Sequence, residues 1–278
     1  MTTWWQAVAD LRAAREAGVL VTVTDVRGHT PREAGAKMVV SARRTWGSVG
    51  GGNLEAEAVR RARALLASGG TRPESFDSHL SDKAPIQPEE IRHGVQCCGG
   101  EVAVLLEPLP VVPSVAIFGV GHVGLELARI LARHDLDLHL VDSRPEHLDA
   151  EALGPLADAV AAVHVHPVPV LPELVLAELP PGTHVLVMTH DHAEDVALVD
   201  AAVRLDHLGP IGLIGSSAKW ARFRSRLLGD GHAEDVLDRV HTPIGLPGVT
   251  TSKEPAAIAV AVAAGLLAAF EREAARQR

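Results

Sequence analysis

The stretch Val115-Ala116-Ile117-Phe118-Gly119-Val120-Gly121-His122-Val123-Gly124 decides the reading of this 278-residue chain. Four apolar residues form a strand, three spaced glycines follow, and Gly124 to His134 reads as a helix. The first glycine permits the tight turn, the second lets backbone approach a phosphate, and the third lets helix and strand pack. Amides at a helix start hold anions. A second strand, Leu138 to Val141, ends at Asp142, 23 residues after Gly119, where a ribose-binding acid sits in dinucleotide-binding folds. The pattern predicts a Rossmann-like unit. A tight turn kept only for packing is the plainer alternative.

Strand and helix continue to alternate downstream. Val185 to Met188 reads as a strand, Ala193 to Leu205 as a helix, Pro210 to Ile214 as a strand and Ala218 to Leu228 as a helix. That alternation predicts a mostly parallel α/β sheet. Upstream, Pro108, Pro110 and Pro113 mark a boundary, because proline limits both ladder bonding and helix continuation. The expected division is residues 1–110, an α+β or α/β domain, and residues 111–278, the Rossmann-like domain. In the first, a helix ends by Gly18, and Leu20 to Val26, Lys37 to Val40, Thr45 to Val49 and Glu101 to Glu107 read as strands, with a helix over Leu54 to Leu66.

Composition narrows the function. Lys plus Arg total 26 and Asp plus Glu 35, a net charge of −9 that disfavours a broad nucleic-acid surface. Aromatics are 3% with no Tyr, too few for a base-stacking platform. Two adjacent cysteines, Cys97 and Cys98, make neither a disulfide framework nor a complete structural zinc site. The start shows no signal-peptide pattern, and the tract Pro255 to Phe270 reads as too short to span a membrane. The expectation is a cytoplasmic protein without membrane or nucleic-acid partners.

Four further segments carry candidate chemistry. Gly50-Gly51-Gly52-Asn53 exposes consecutive amides, a candidate anion nest, with Asn53 as a helix cap and Glu55 complementing the helix dipole. Beside the glycines that follow them, Cys97 and Cys98 suit a soft metal or sulfur transfer; Cys98 is the preferred candidate, and a buried packing role is the alternative. His190, Asp191 and His192 follow a strand end, where they would move protons, hold a metal or simply start a helix. Ser216 and Lys219 follow Gly215 and suit an anionic ligand. His122 lies inside the Gly119–Gly124 loop, and Arg144 stands two residues past Asp142, placed to neutralise a phosphate or to pair with the acid. There is no P-loop spacing and no Gly-x-Ser-x-Gly elbow.

Taken together, Gly47 to Glu55, Cys97-Cys98-Gly99-Gly100, Gly119 to Gly124, Thr189-His190-Asp191, Gly212 to Lys219 and His241 to Lys253 resemble the xanthine dehydrogenase accessory protein family, XdhC/CoxI, over nearly the whole chain and in the family's order. The resemblance implies an accessory protein without autonomous turnover. It would bind molybdenum cofactor (molybdopterin) as cargo, support its sulfuration by a cysteine desulfurase and insert it into the molybdenum-binding subunit of xanthine dehydrogenase. Cys98 or Cys97 would be the cofactor-linked, molybdenum-contacting residue, and Gly50, Gly51, Gly52 and Asn53 would be part of an N-terminal site. Gly119, Gly121, His122, Gly124, Asp142, His190, Ser216 and Lys219 are the remaining cofactor-binding candidates, and NAD(P) or another nucleotide is the alternative ligand. A homodimer is expected. The competing functions are an NAD(P)-dependent oxidoreductase and a noncatalytic nucleotide-binding protein.

Overall fold

The computed structural model describes residues 2–80, 100–168 and 170–276. The chain folds into two compact units, one running to Val111 and including the residues from Arg272 onward, the other spanning Val112–Glu271.

The first unit opens with α1 (Trp4–Ala13), β1 (Gly18–Arg27), β2 (Lys37–Ser41), β3 (Thr45–Gly47) and α2 (Gly52–Ala67), then adds β4 (Glu74–His79) and β5 (Glu101–Leu109). The five strands form one sheet in the order β3-β2-β1-β5-β4, and every pairing is antiparallel. One face buries Val19, Val21, Val23, Met38, Val40, Val104 and Leu106 against Leu54, Ala58, Ala62 and Leu65 of α2. Those helix residues recur at three and four positions, the stripe that α2 needs to cover a sheet. The other face carries α1 through Ala7 and Leu11 on Val39. β4 is absent from the sequence reading because Glu-Ser-Phe-Asp-Ser-His has little strand propensity and buries only Phe76.

The second unit is a six-stranded, all-parallel sheet: β6 (Ser114–Phe118), β7 (Asp137–Asp142), β8 (Ala162–Pro167), β9 (His184–Val187), β10 (Ile211–Leu213) and β11 (Val240–His241). Their order, β11-β10-β9-β6-β7-β8, grows from β6 to one side and then returns to start the other half at β9. This is the doubly wound order, with a topological switch point between β6 and β9. β6 and β7 are buried along their whole lengths, as strands covered on both faces must be. On one face lie α3 (His122–Leu131) and α7 (Pro255–Arg276), contributing Leu127, Leu131, Ala259, Val262 and Leu266; on the other lies α4 (His192–Val203), with α5 (Ser217–Gly229) and the short α6 (Glu234–Leu237) at the β10–β11 connection.

The fold is thus α/β with a C-terminal Rossmann-like sheet, as the sequence predicts. The last helix corrects one expectation. It runs 22 residues, beyond the apolar tract that ends at Phe270, and is long and apolar enough to cross a membrane by length and composition. Ala259, Val262, Ala263 and Leu266 nevertheless pack it into the core of the parallel-sheet unit. The sequence reading stopped at Phe270 because charge begins at Glu271, and charge does not end a helix.

Candidate functional site

The strongest constellation lies where β6 and β7 end. Gly119 has φ +101°, and a methyl group there would sit 2.4 Å from the Met188 carbonyl oxygen. A methyl at Gly124 would lie 2.2 Å from the Gly119 carbonyl oxygen, so this glycine is what lets α3 close on the strand. Gly121 differs. Its φ is −76°, and a methyl group would meet nothing nearer than Arg144 Nη2 at 3.8 Å. Neither backbone conformation nor packing asks for glycine at 121.

Asp142 closes the β7 end and is 2% exposed. Its Oδ2 accepts the Val120 amide at 2.7 Å and Arg144 Nη2 at 3.0 Å. Its Oδ1 accepts the Arg144 amide and Arg144 Nε, both at 2.9 Å. Burial pushes the Asp142 carboxyl up, but the Arg144 side chain, the Arg144 amide and the Val120 amide outweigh it and hold the group below its ordinary value. His147 Nδ1 lies 3.1 Å from the Val120 carbonyl oxygen, so the backbone of Val120 is held on both sides of its Cα. The expectation that Asp142 serves a ribose meets a different arrangement. A carboxylate offers about four acceptor positions, and four N–H groups of the chain take them. Of the two roles open to Arg144, the pair with the acid is formed.

Ser143 Oγ donates to Glu194 Oε2 at 3.1 Å, linking the β7 end to the first turn of α4. Burial raises the Glu194 pKa above its ordinary value; the Ser143 bond lowers it, and the charge of Asp142 raises it further. His122 is exposed at the start of α3 and His190 is exposed ahead of α4. Asp191 caps α4 by accepting the Ala193 amide at 2.7 Å. Among the described residues no group of three His, Cys, Asp or Glu is placed to hold a metal ion.

Ser216 and Lys219 are built into the scaffold. Ser216 Oγ accepts the Lys219 amide at 3.2 Å as the cap of α5. The Lys219 ammonium is buried; it donates to Asp195 Oδ2 at 2.5 Å and to the Ile214 carbonyl at 2.9 Å. Asp195 is fully buried and also accepts the Thr189 amide and hydroxyl at 3.1 and 2.8 Å. Sequence reasoning missed this pair. The signal was a Lys and an acid each following a strand end of one parallel sheet. His147 was missed as well, since only the fold brings residues 120, 143, 147 and 194 together.

The N-terminal glycine run makes a second, different site. Gly50, Gly51 and Gly52 all have positive φ, of +135°, +73° and +59°. The Gly50 amide donates to Ser48 Oγ at 3.2 Å, the Gly51 amide donates to Glu55 Oε2 at 3.2 Å, and Ser48 Oγ donates to the same carboxylate oxygen at 2.5 Å. Glu55 therefore fills the candidate nest from inside the chain. Asn53 lies in the first turn of α2, and the capping position is Gly51, so the expected Asn53 cap is not the one formed. The loop packs on Pro31, and the buried Gly100 packs on the carbonyls of Arg27 and His29. An open groove of about 730 Å³ runs along α2 beside Thr45, lined by Glu55, Val59, Arg60 and Arg63. Cys97 and Cys98 lie outside the described residues.

Comparison with known proteins agrees with this architecture. Residues 115–266 match the XdhC Rossmann domain, and residues 11–77 match the XdhC and CoxI family. The uncharacterized protein YqeB of Escherichia coli (strain K12) is 25% identical over 253 residues, 89% of this chain and 42% of that protein, so the chain spans less than half the length of this relative. A crystal structure from Bacillus halodurans, described as a xanthine dehydrogenase, aligns over 96% of this chain and 95% of that one with 17% identity and a TM-score of 0.46. With one family description matching its N-terminal unit and another matching more than half its length, the chain belongs to the XdhC/CoxI family.

Proposed function

We propose that this protein is a cytoplasmic accessory factor for xanthine dehydrogenase maturation: it carries molybdenum cofactor as cargo, presents it for sulfuration by a cysteine desulfurase and delivers it to the molybdenum-binding subunit. Family membership over residues 11–77 and 115–266 is the observation that carries this reading. The chemistry is compatible. The cargo joins a phosphate to dithiolene sulfurs and a molybdenum centre; amides at a helix start suit the first, and a thiolate from Cys97 or Cys98 suits the last. A sulfur atom reaching a thiolate as persulfide can pass on by thiolate exchange, leaving the cysteine reduced. The Gly50 and Gly51 amides, taken by Ser48 and Glu55, are not available to the phosphate in this arrangement.

The test uses the full chain. It is incubated anaerobically with molybdopterin cofactor, and bound molybdenum and pterin are measured after gel filtration. Near-stoichiometric retention that activates cofactor-free xanthine dehydrogenase supports the carrier role. No retention, where a known binder retains cofactor, overturns it. Cys97→Ala and Cys98→Ala, assayed separately, assign the sulfur chemistry; unchanged retention and unchanged activation in both remove the cysteines from the site.

A second reading concerns the crevice at Gly119–Gly124, whose ligand is a nucleotide under this proposal. Gly121 favours it, as a glycine that the protein itself does not require, at the switch point of a doubly wound sheet. Binding of an adenine nucleotide by the wild type, lost in Gly121→Val with an unchanged melting temperature, is the expected result.

A further inference from the structure

In dinucleotide-binding sheets the residue at the end of the second strand decides how the ribose is read: a carboxylate accepts from a 2′-hydroxyl, or an arginine accommodates a 2′-phosphate. This chain has both residues, Asp142 and Arg144, on the β7 end. They are not equivalent in what they still offer. Two acceptor positions on each Asp142 oxygen are filled, by the amides of Val120 and Arg144 and by Arg144 Nε and Nη2. A hydroxyl arriving there would find no lone pair to donate to without displacing a bond to a charged or backbone donor.

Arg144 stands in the opposite state. A guanidinium carries five N–H groups, and Asp142 takes two. Among the described residues no hydrogen bond accounts for the remaining Nη1 and Nη2 protons. The side chain is 28% exposed, and Nη2 borders the space that Gly121 leaves open. Asp142 thus holds the guanidinium in a fixed plane, with Nη2 beside the glycine loop. A planar donor edge fixed by a buried carboxylate is suited to a phosphomonoester, and a neutral diol gains little from it.

We propose that Asp142 and Arg144 form a specificity device that makes the crevice select nucleotides carrying a phosphomonoester on the ribose, of the 2′-phosphorylated adenosine type, over those with a free ribose diol. Arg144 is the residue that reads the phosphate. Asp142 acts through Arg144 and is a positioning residue. The inference rests on the reading that the crevice binds a nucleotide, and the experiment separates the two.

Adenosine 2′,5′-bisphosphate and adenosine 5′-diphosphate are titrated into the full-length protein by calorimetry at fixed ionic strength. Each is repeated with Arg144→Ala and Arg144→Lys. The expected result is at least tenfold tighter binding of the 2′,5′-bisphosphate. The preference disappears in Arg144→Ala and is partly restored in Arg144→Lys, which keeps the charge and loses the planar fork. The circular dichroism spectrum and melting temperature of Arg144→Ala, compared with those of the wild type, show whether the domain is still folded. Should Arg144→Ala unfold, the lysine variant and the wild-type ratio decide. Equal affinity of the two nucleotides for the wild type overturns the selectivity and leaves nucleotide binding standing. Binding of neither nucleotide at millimolar concentration overturns both.

Discussion

The two glycine loops of this molecule have similar composition and opposite destinations. In the N-terminal unit, three consecutive glycines with positive φ turn two amides inward, onto Ser48 and Glu55. In the parallel-sheet unit, the carboxylate at the strand end serves the Val120 amide and Arg144, while Gly121 keeps its outer side open. The lesson is that a glycine run states only where backbone can come close. What approaches it is decided by the acid nearby and by whether that acid has spent its lone pairs on the loop itself.

The comparison can be broken by substitution, most severely at Gly124. A methyl group 2.2 Å from the Gly119 carbonyl must push α3 off the strand, so Gly124→Ala should cost about 3 kcal/mol in urea unfolding. A cost below about 1 kcal/mol would mean that the loop does not govern helix packing. Asp142→Asn comes next. It keeps the shape but loses the charge facing Arg144, and the partial exposure of Arg144 moderates the loss to about 2 kcal/mol. Glu55→Ala should cost about 1.5 kcal/mol and, more sharply, should empty the N-terminal nest. Added inorganic phosphate should then raise the melting temperature of this variant more than that of the wild type. An identical phosphate response in both would show that the amides stay closed without Glu55.

Acid titration sharpens the same contrast. The Asp142 carboxyl has its folded pKa held below the ordinary 3.8, so it binds its proton less readily in the folded state than in the unfolded one. Its contribution is complete above pH 3.8 and is lost as pH falls through that value and on through the lower folded pKa. Glu194 has the opposite sign: its folded pKa is raised, and the cost of ionising it is relieved as pH falls through that raised value. Wild type should therefore lose more stability than Asp142→Asn between pH 5 and 3, read by the urea midpoint, while Glu194→Gln should be more stable than wild type at pH 7 by less than about 1 kcal/mol. The smallest expected effect is at Gly121. Gly121→Ala should leave stability within about 0.5 kcal/mol and still weaken nucleotide binding.

The sequence makes the architecture of the second unit legible because its signals are local. An apolar run, a glycine turn and a helix lie within twenty residues, and fully buried parallel strands are apolar throughout. The strands that escape it are edge or near-edge strands. β4 is polar, β8 alternates valine with histidine and ends in proline, and β11 is two residues long. The glycine positions and Asp142 are readable as candidates, but their occupancy is not. That Glu55 fills one loop, that Lys219 is taken by Asp195, and that Glu194 reaches Ser143 across 51 positions are consequences of tertiary closure. No window of sequence contains both partners of the last two contacts in a recognisable spacing.

The double hold on the Val120 backbone, with its N–H on Asp142 and its carbonyl against His147, has a kinetic consequence. A loop already fixed on its own scaffold needs no ordering when a molecule arrives. Encounters at this crevice should therefore be limited by diffusion and orientation, and relaxation after rapid mixing should accelerate linearly with ligand concentration, without the plateau that marks a slow rearrangement.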